Sequence, residues 1–188
     1  TLYTTLKPKA RRRMTEPLFL DTDCLSTFLI VQRENLVLQL YAGRIGIPQQ
    51  VYVELRKVPF MKTKIDALLN AKRVVPYQIA AGTDSGNLYL KLTEHPDRGY
   101  KSIGTGEAAA IVLTKEYNGI LGSNNMRDIL PYIHLYHLQH RTSADIMAEA
   151  LEQHMINEGQ GNAIWKQMLQ RNRKLPADTF SEFLASRK

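Results

Sequence analysis

The sequence predicts a three-layer α/β/α sandwich. A mainly parallel central sheet of about four to five strands lies between helices, and a helical extension follows it at the C-terminus. Three observations predict this. Short runs suited to buried strands alternate with segments of helical spacing, as in parallel sheets covered on both faces. The first such run, Pro17-Leu18-Phe19-Leu20, ends in Asp21-Thr22-Asp23 just before a helical pattern. That junction is where open α/β sheets carry their chemistry. From Thr142 onward the spacing is helical throughout.

In order, residues 17–21 are the first strand. Thr22 caps the helix that follows, whose apolar face holds Leu25, Phe28 and Leu29. A short helix over 35–42 stops at Gly43. Residues 44–48 make the second strand, ended by Pro48. A helix over 49–56 places Val51 and Leu55 on one face, and Pro59 interrupts it. Residues 61–72 are helical, with Ile65, Leu68 and Leu69 apolar; Val74-Val75 is a third strand, closed by Pro76. Over 83–94, Leu88, Leu90 and Leu92 are spaced as in a strand, but Thr83 or Asp84 starts a helix and the helix is preferred. Residues 99–106 form a loop with three glycines, and the alanine-rich run from Glu107 to Tyr117 is a helix. Residues 119–123 are a fourth strand. Asn124 to Asp128 is a turn or helix stopped by Pro131, and residues 133–138 are the last strand. Helices over 142–157, 161–173 and 178–186 complete the chain, the first capped by Thr142 or Ser143 and the last by Asp178. The expected organisation is an arm over 1–13, an α/β domain over 14–141 and a helical extension over 142–188.

The composition is that of a globular protein, with 44 % hydrophobic and 23 % charged residues. Apolar runs are too short to cross a bilayer, and no leader pattern opens the given sequence. The one cysteine, Cys24, excludes an intramolecular disulfide and suits a reducing cytoplasm. With no base recognisable nearby it reads as a small helix residue, not a nucleophile. The net charge of +7 is concentrated: residues 1–13 hold Lys7, Lys9, Arg11, Arg12 and Arg13 and no acid. Without them the balance is 20 basic against 18 acidic residues. This arm is either a native basic extension suited to nucleic acid or a fusion remnant ahead of Met14.

Five acids fall at element junctions. Asp21 and Asp23 close the first strand, Glu54 lies in the helix after the second, Glu107 opens the alanine-rich helix, and Asp128 follows the fourth strand. Singly, each suits a helix cap or a solvated helix face. Together, they converge on one edge of a parallel sheet, where they repel unless a cation lies between them. An all-oxygen set suits Mg²⁺ or Mn²⁺, ions that bind phosphate and activate water.

The segment Leu18-Phe19-Leu20-Asp21-Thr22-Asp23 resembles the first motif of PIN domains, a strand ending in a metal-binding aspartate. Pro48 through Glu54-Leu55 resembles the second motif, and Gly104-Thr105-Gly106-Glu107 the third, in the branch that uses glycine-glutamate. Ile120 through Asn125 falls at the fourth, and the resemblance covers about residues 17–140. It implies Asp21, Glu54, Glu107 and Asp128 as catalytic acids, with Asp21, Glu107, Asp128 and Asn125 around Mg²⁺ or Mn²⁺. Thr22, Asp23, Ser123 and Asn124 would position those ligands or a water. The sequence departs from the pattern at Asn124 and Asn125, which stand where aspartates are expected. Asp128 is one helical turn away and can restore the charge.

The resemblance implies an endoribonuclease that cuts RNA, the toxin of a toxin–antitoxin pair, with an antitoxin protein as partner and a homodimer as a frequent state. Arg127, Arg44, Arg56, Lys57 and Lys101 are the candidate cations for RNA. The asparagine pair keeps a second class open, a non-catalytic module that binds RNA or a protein. A third is another metal phosphohydrolase on a similar sheet, such as a flap-type DNA nuclease. His134, His137 and His140, read on a strand, fall on opposite faces and do not make a zinc site. In the C-terminal helices, Ile164, Trp165, Met168 and Leu169 form an apolar face that packs on the body or on a partner, and Lys166, Arg171, Arg173 and Lys174 make that end basic.

Overall fold

The computed structural model describes residues 15–187. The basic arm over 1–13 lies outside them. Five parallel strands form one sheet: β1 (Leu18–Leu20), β2 (Ile45–Pro48), β3 (Val75–Tyr77), β4 (Ile120–Gly122) and β5 (Gln139–Arg141), in the order β3-β2-β1-β4-β5. Leu18 lies opposite Ile45 on one side and Ile120 on the other, so β1 is central. The chain leaves β1 toward β2 and β3, then returns to β4 on β1's other side. The order therefore reverses between β1 and β4, and the crevice at their C-terminal ends is where such sheets bind ligands.

The sheet is buried on both faces, and β1 shows why. Leu18 and Leu20 point into a cluster built with α1 (Thr22–Ile30), α2 (Glu34–Leu40), α3 (Gln49–Leu55) and α4 (Pro59–Asn70). Phe19 points the other way, into a second cluster with α5 (Asp84–Thr93), α6 (Thr105–Glu116) and α7 (Met126–Tyr136). All three residues are inaccessible to solvent, as a strand covered on both faces requires. The three-layer α/β/α arrangement and its parallel sheet agree with the reading of the sequence.

Helices α8 (Ser143–Glu152), α9 (Glu158–Gln170) and α10 (Phe180–Ser186) join the Leu18 cluster through Ile146, Met147, Ile164, Trp165 and Phe180. Trp165 stacks against Phe180 and Phe183 at 5.5 and 5.4 Å and donates its indole N–H to Ala177 O at 3.0 Å. Gly161 lets Phe180 lie on α9, since a Cβ there would stand 2.3 Å from its ring. Among the described residues no helix is long and apolar enough to cross a membrane.

Four local expectations are corrected. Residues 133–138 are not a strand: α7 runs through Pro131 to Tyr136, His137 takes a left-handed conformation at φ 52°, and β5 starts at Gln139. Ile129, Tyr132, Ile133 and Tyr136 recur at helical spacing on the second cluster, while Leu135 is 45 % exposed. Pro59 starts α4, at the first-turn position where its missing N–H has no partner to lose. Pro76 lies inside β3, which tolerates it because an edge strand pairs on one side only. Finally, Asp21 caps α1, not Thr22, which is the first helical residue. The helix over 83–94 is present, with Thr83 accepting the Gly86 N–H at 3.1 Å.

Candidate active site

Asp21 extends β1 by one bond, its N–H donating to Gly122 O at 2.8 Å, and then turns into α1. Its Oδ1 accepts the Cys24 N–H at 2.7 Å and so caps the helix. Its Oδ2 is buried with no hydrogen-bond partner. An unpartnered carboxylate oxygen in a fully buried residue is costly and calls for an explanation. Burial is the main cause that pushes this carboxyl from an ordinary 3.8 up to about 7, and the charges of Asp23 and Glu107 add to it. The Ser123 hydroxyl and the Cys24 N–H pull the other way.

Asp21 opens onto a cleft of about 360 Å³ at the C-terminal edge of the sheet, shared with Asp23, Glu54 and Glu107. Glu54 arrives from α3 and is held by the start of α6. Its carboxylate accepts the Thr22 hydroxyl, the Thr105 hydroxyl at 2.7 Å and the Gly106 N–H at 3.0 Å. Gly106 has to be small, because a Cβ there would meet both Glu54 Oε2 and Thr22 Oγ1 at 2.7 Å. Glu107 reaches back to its own helix start, accepting the Gly104 N–H at 3.3 Å, and accepts from Asn125 at 2.7 Å. Its carboxyl is raised, chiefly by burial.

The fourth corner departs from a carboxylate. Asn125 Nδ2 donates to Glu107 Oε1 and to Asp128 Oδ2, both at 2.7 Å. Because both partners accept only, the amide nitrogen must face them. Asn125 thus joins two acids with a neutral donor, where an aspartate would add a third charge. Asp128 is held below the usual carboxylate range by Asn125 first and Arg127 second. Asp128 lines a neighbouring groove, not the Asp21 cleft. Asn124 looks outward: it donates to Asp23 at 3.1 Å and accepts the Ser143 N–H at 2.8 Å, tying Asp23 to α8. Ser123 sits between, fully buried at the end of β4.

The cations named from sequence separate. Arg127 lies beside Asp128 at 3.2 Å, with 89 % of its side chain exposed. Lys101 is close enough to help lower Asp128. Arg56 and Lys57 follow Glu54 at the end of α3 and are exposed, with the Arg56 guanidinium 5.3 Å from the centre of the Tyr52 ring. Arg44 precedes β2, at the opposite edge of the sheet, and its guanidinium is used on Glu16 O at 2.7 Å and Leu40 O at 3.3 Å. The structure therefore does not bring Arg44 to the acids.

Arg173 is the residue that sequence reasoning missed as part of the site. It follows α9, contacts Asp23 Oδ1 and Ser26 Oγ at 3.3 Å each, and lines the Asp21 cleft. Its position 150 residues beyond Asp23 left no local signal. Cys24 is a buried thiol in α1, as expected. The histidines are dispersed: His134 is on α7, His137 ends it, and His140 on β5 binds Ser123 O at 2.9 Å.

Among the described residues, no three histidine, cysteine, aspartate or glutamate side chains are drawn together as a ready-made cation cage. The reason is visible in the bonds above, for Glu54, Glu107 and Asp128 are each turned onto donors. Even so, the cleft fits a hard divalent ion in two respects. Its donors are all oxygen, and Asp21 Oδ2 has no competing partner.

No family model matches the sequence, and no curated relative matches it. A solved structure of FitAB bound to an IR36 DNA fragment resembles the chain with a TM-score of 0.46 at 14 % identity, over 67 % of this chain and 94 % of that one.

Proposed function

We propose that the chain is a Mg²⁺- or Mn²⁺-dependent endoribonuclease of PIN type, acting as the toxin of a toxin–antitoxin pair. The observation that carries the catalytic part is the buried Asp21, with one oxygen unpartnered, facing Glu54 and Glu107 at the switch point of a parallel sheet. The partner class rests on the motif resemblance alone.

Asp21 and Glu107 would hold the ion, with Asn125 and Asp128 standing behind Glu107 and fixing its carboxylate. Bound there, a divalent cation supplies charge neutralisation at the phosphate and a water of lowered pKa. The chain's own groups do the rest. Thr22 and Thr105 fix Glu54, so that its carboxylate stands at the cleft rim and can take a proton from water. Ser123 stands beside the buried Asp21 and favours its charged form, and Asn125 joins Glu107 and Asp128 without adding charge. Arg173 places a cation on the far wall, where a phosphate oxygen needs one.

The test is cleavage of a panel of single-stranded and hairpin RNAs with Mn²⁺, comparing the chain with Asp21→Asn. The expected result is cutting by the chain, at least a hundredfold slower cutting by the variant, and none with chelator. Equal activity in the two proteins would sink the reading.

A second reading is favoured by one observation, the neutral Asn125 at the fourth corner. It is a non-catalytic module that binds RNA or a protein partner. Binding without cutting across the same panel supports it.

A further inference from the structure

A second and larger cleft, about 820 Å³, adjoins the acids between the 99–103 loop and the start of α7. Its border with the acid cleft is Asp128, which lines the groove and shares the Asn125 amide with Glu107. A strand whose phosphate lies at the acids can therefore continue into this adjoining groove.

The lining has a particular chemistry. Tyr100 is half-buried, and its ring packs on Tyr132 at 5.2 Å with a tilt of 32°. Tyr132 is itself fixed, stacked near Tyr136 and donating its hydroxyl to Lys101 O at 3.0 Å. The loop is thus held against α7 by a row of aromatic rings, and Tyr100 presents a pre-set ring to the groove. Lys101 and Arg127 line the same groove, with the Arg127 side chain largely in solvent. Aliphatic area is limited to Ile103 and Pro131. A hydrophobic peptide would need more of it. Aromatic faces interleaved with cations are what unpaired nucleic acid strands use, stacking bases and pairing phosphates.

We propose that this groove is a subsite for one unpaired nucleobase of an RNA strand, stacked on Tyr100, with Lys101 and Arg127 on the flanking phosphates. The identity of the strand rests on the ribonuclease reading. The stacking does not require cleavage, so the two can fail separately.

The test measures binding in EDTA, where no metal-dependent cutting occurs. The probes are a fluorescein-labelled octa-adenylate RNA and the same octamer with abasic positions at its centre. Stacking of one base is worth about 1–3 kcal/mol, so Tyr100→Ala is expected to weaken the octa-adenylate by roughly 5- to 150-fold. It should leave the abasic strand unchanged, and Tyr100→Phe should bind as the parent does. Lys101→Gln should weaken both strands alike and lower the salt slope by about one ion. Circular dichroism checks that each variant is folded. Three results overturn the proposal: unchanged octa-adenylate affinity in Tyr100→Ala, equal loss on both strands, or no RNA binding by the parent chain. The last of them leaves the groove to a protein segment. Stacking by Tyr100 in a chain that never cuts RNA refutes the nuclease reading alone.

Discussion

Replacing Asp21 by asparagine should make the metal-free protein more stable above neutral pH. The wild-type carboxyl is raised from 3.8 to about 7 by burial. Folding therefore favours the protonated form: between about pH 4 and pH 7 the folded chain holds a proton that the unfolded chain has lost. Stability contributed by this group falls as pH rises through that window, by about 4 kcal/mol in all at pH 8. Asparagine keeps the oxygen that accepts from Cys24 but cannot ionise. It places an amide where Oδ2 was unpartnered, at a cost of about 1–3 kcal/mol. The net expectation is a gain of about 1–3 kcal/mol at pH 8 and a loss of about 1–3 kcal/mol at pH 4. Urea unfolding in EDTA at pH 4, 6 and 8 measures it, with the difference between variant and parent growing with pH. A variant less stable than the parent at pH 8, or a pH-independent difference, would refute the reasoning. Mg²⁺ or Mn²⁺ should reverse the order, stabilising the parent and not the variant.

Asn125→Asp should place a third carboxylate between Glu107 and Asp128, lowering the melting temperature without metal by several degrees; Mn²⁺ should restore it, as differential scanning fluorimetry would show. Gly106→Ala should displace Glu54 and Thr22 and reduce RNA cleavage at least tenfold, while melting shifts by only a few degrees, because the atoms it meets are side-chain oxygens. Trp165→Ala should cost about 3–5 kcal/mol. Since Trp165 shares a cluster with Leu18 and Phe28, chemical unfolding should remain a single transition of the whole chain. Two separated transitions would show that residues 15–141 hold their fold independently.

The β1–α1 junction was legible because its signals are local: three apolar residues, an acid that breaks the strand, and helical spacing afterwards. The parallel sheet followed from alternation for the same reason. The last strand was misread because Ile133, Leu135 and His137 alternate by chance within a helix whose true face is Ile129, Tyr132, Ile133 and Tyr136. Only the packing surface, set by α6, decides between the two periods. In the site, residue types and element ends sufficed to bring Asp21, Glu54 and Glu107 to one cleft. They did not foretell that Asn125 would bridge two acids, nor that Asp128 would belong to the next groove, since both depend on side-chain direction. Arg44 failed for a topological reason. It stands before its strand, and in a parallel sheet the residues before strands gather at the edge opposite those that follow them.

Arg173 has a bearing on when the site comes into being. Asp21, Glu54 and Glu107 all precede Arg173 in synthesis, and the strands and helices that position them can pack before it is made. The guanidinium that walls the cleft, and Ser143, which holds Asn124 against Asp23, arrive only with the last helices. Folding during translation proceeds from the N-terminus, at about 5–20 residues per second. A nascent chain therefore assembles its acids some seconds before the cleft around them is closed, and a chain released early carries the acids without that wall.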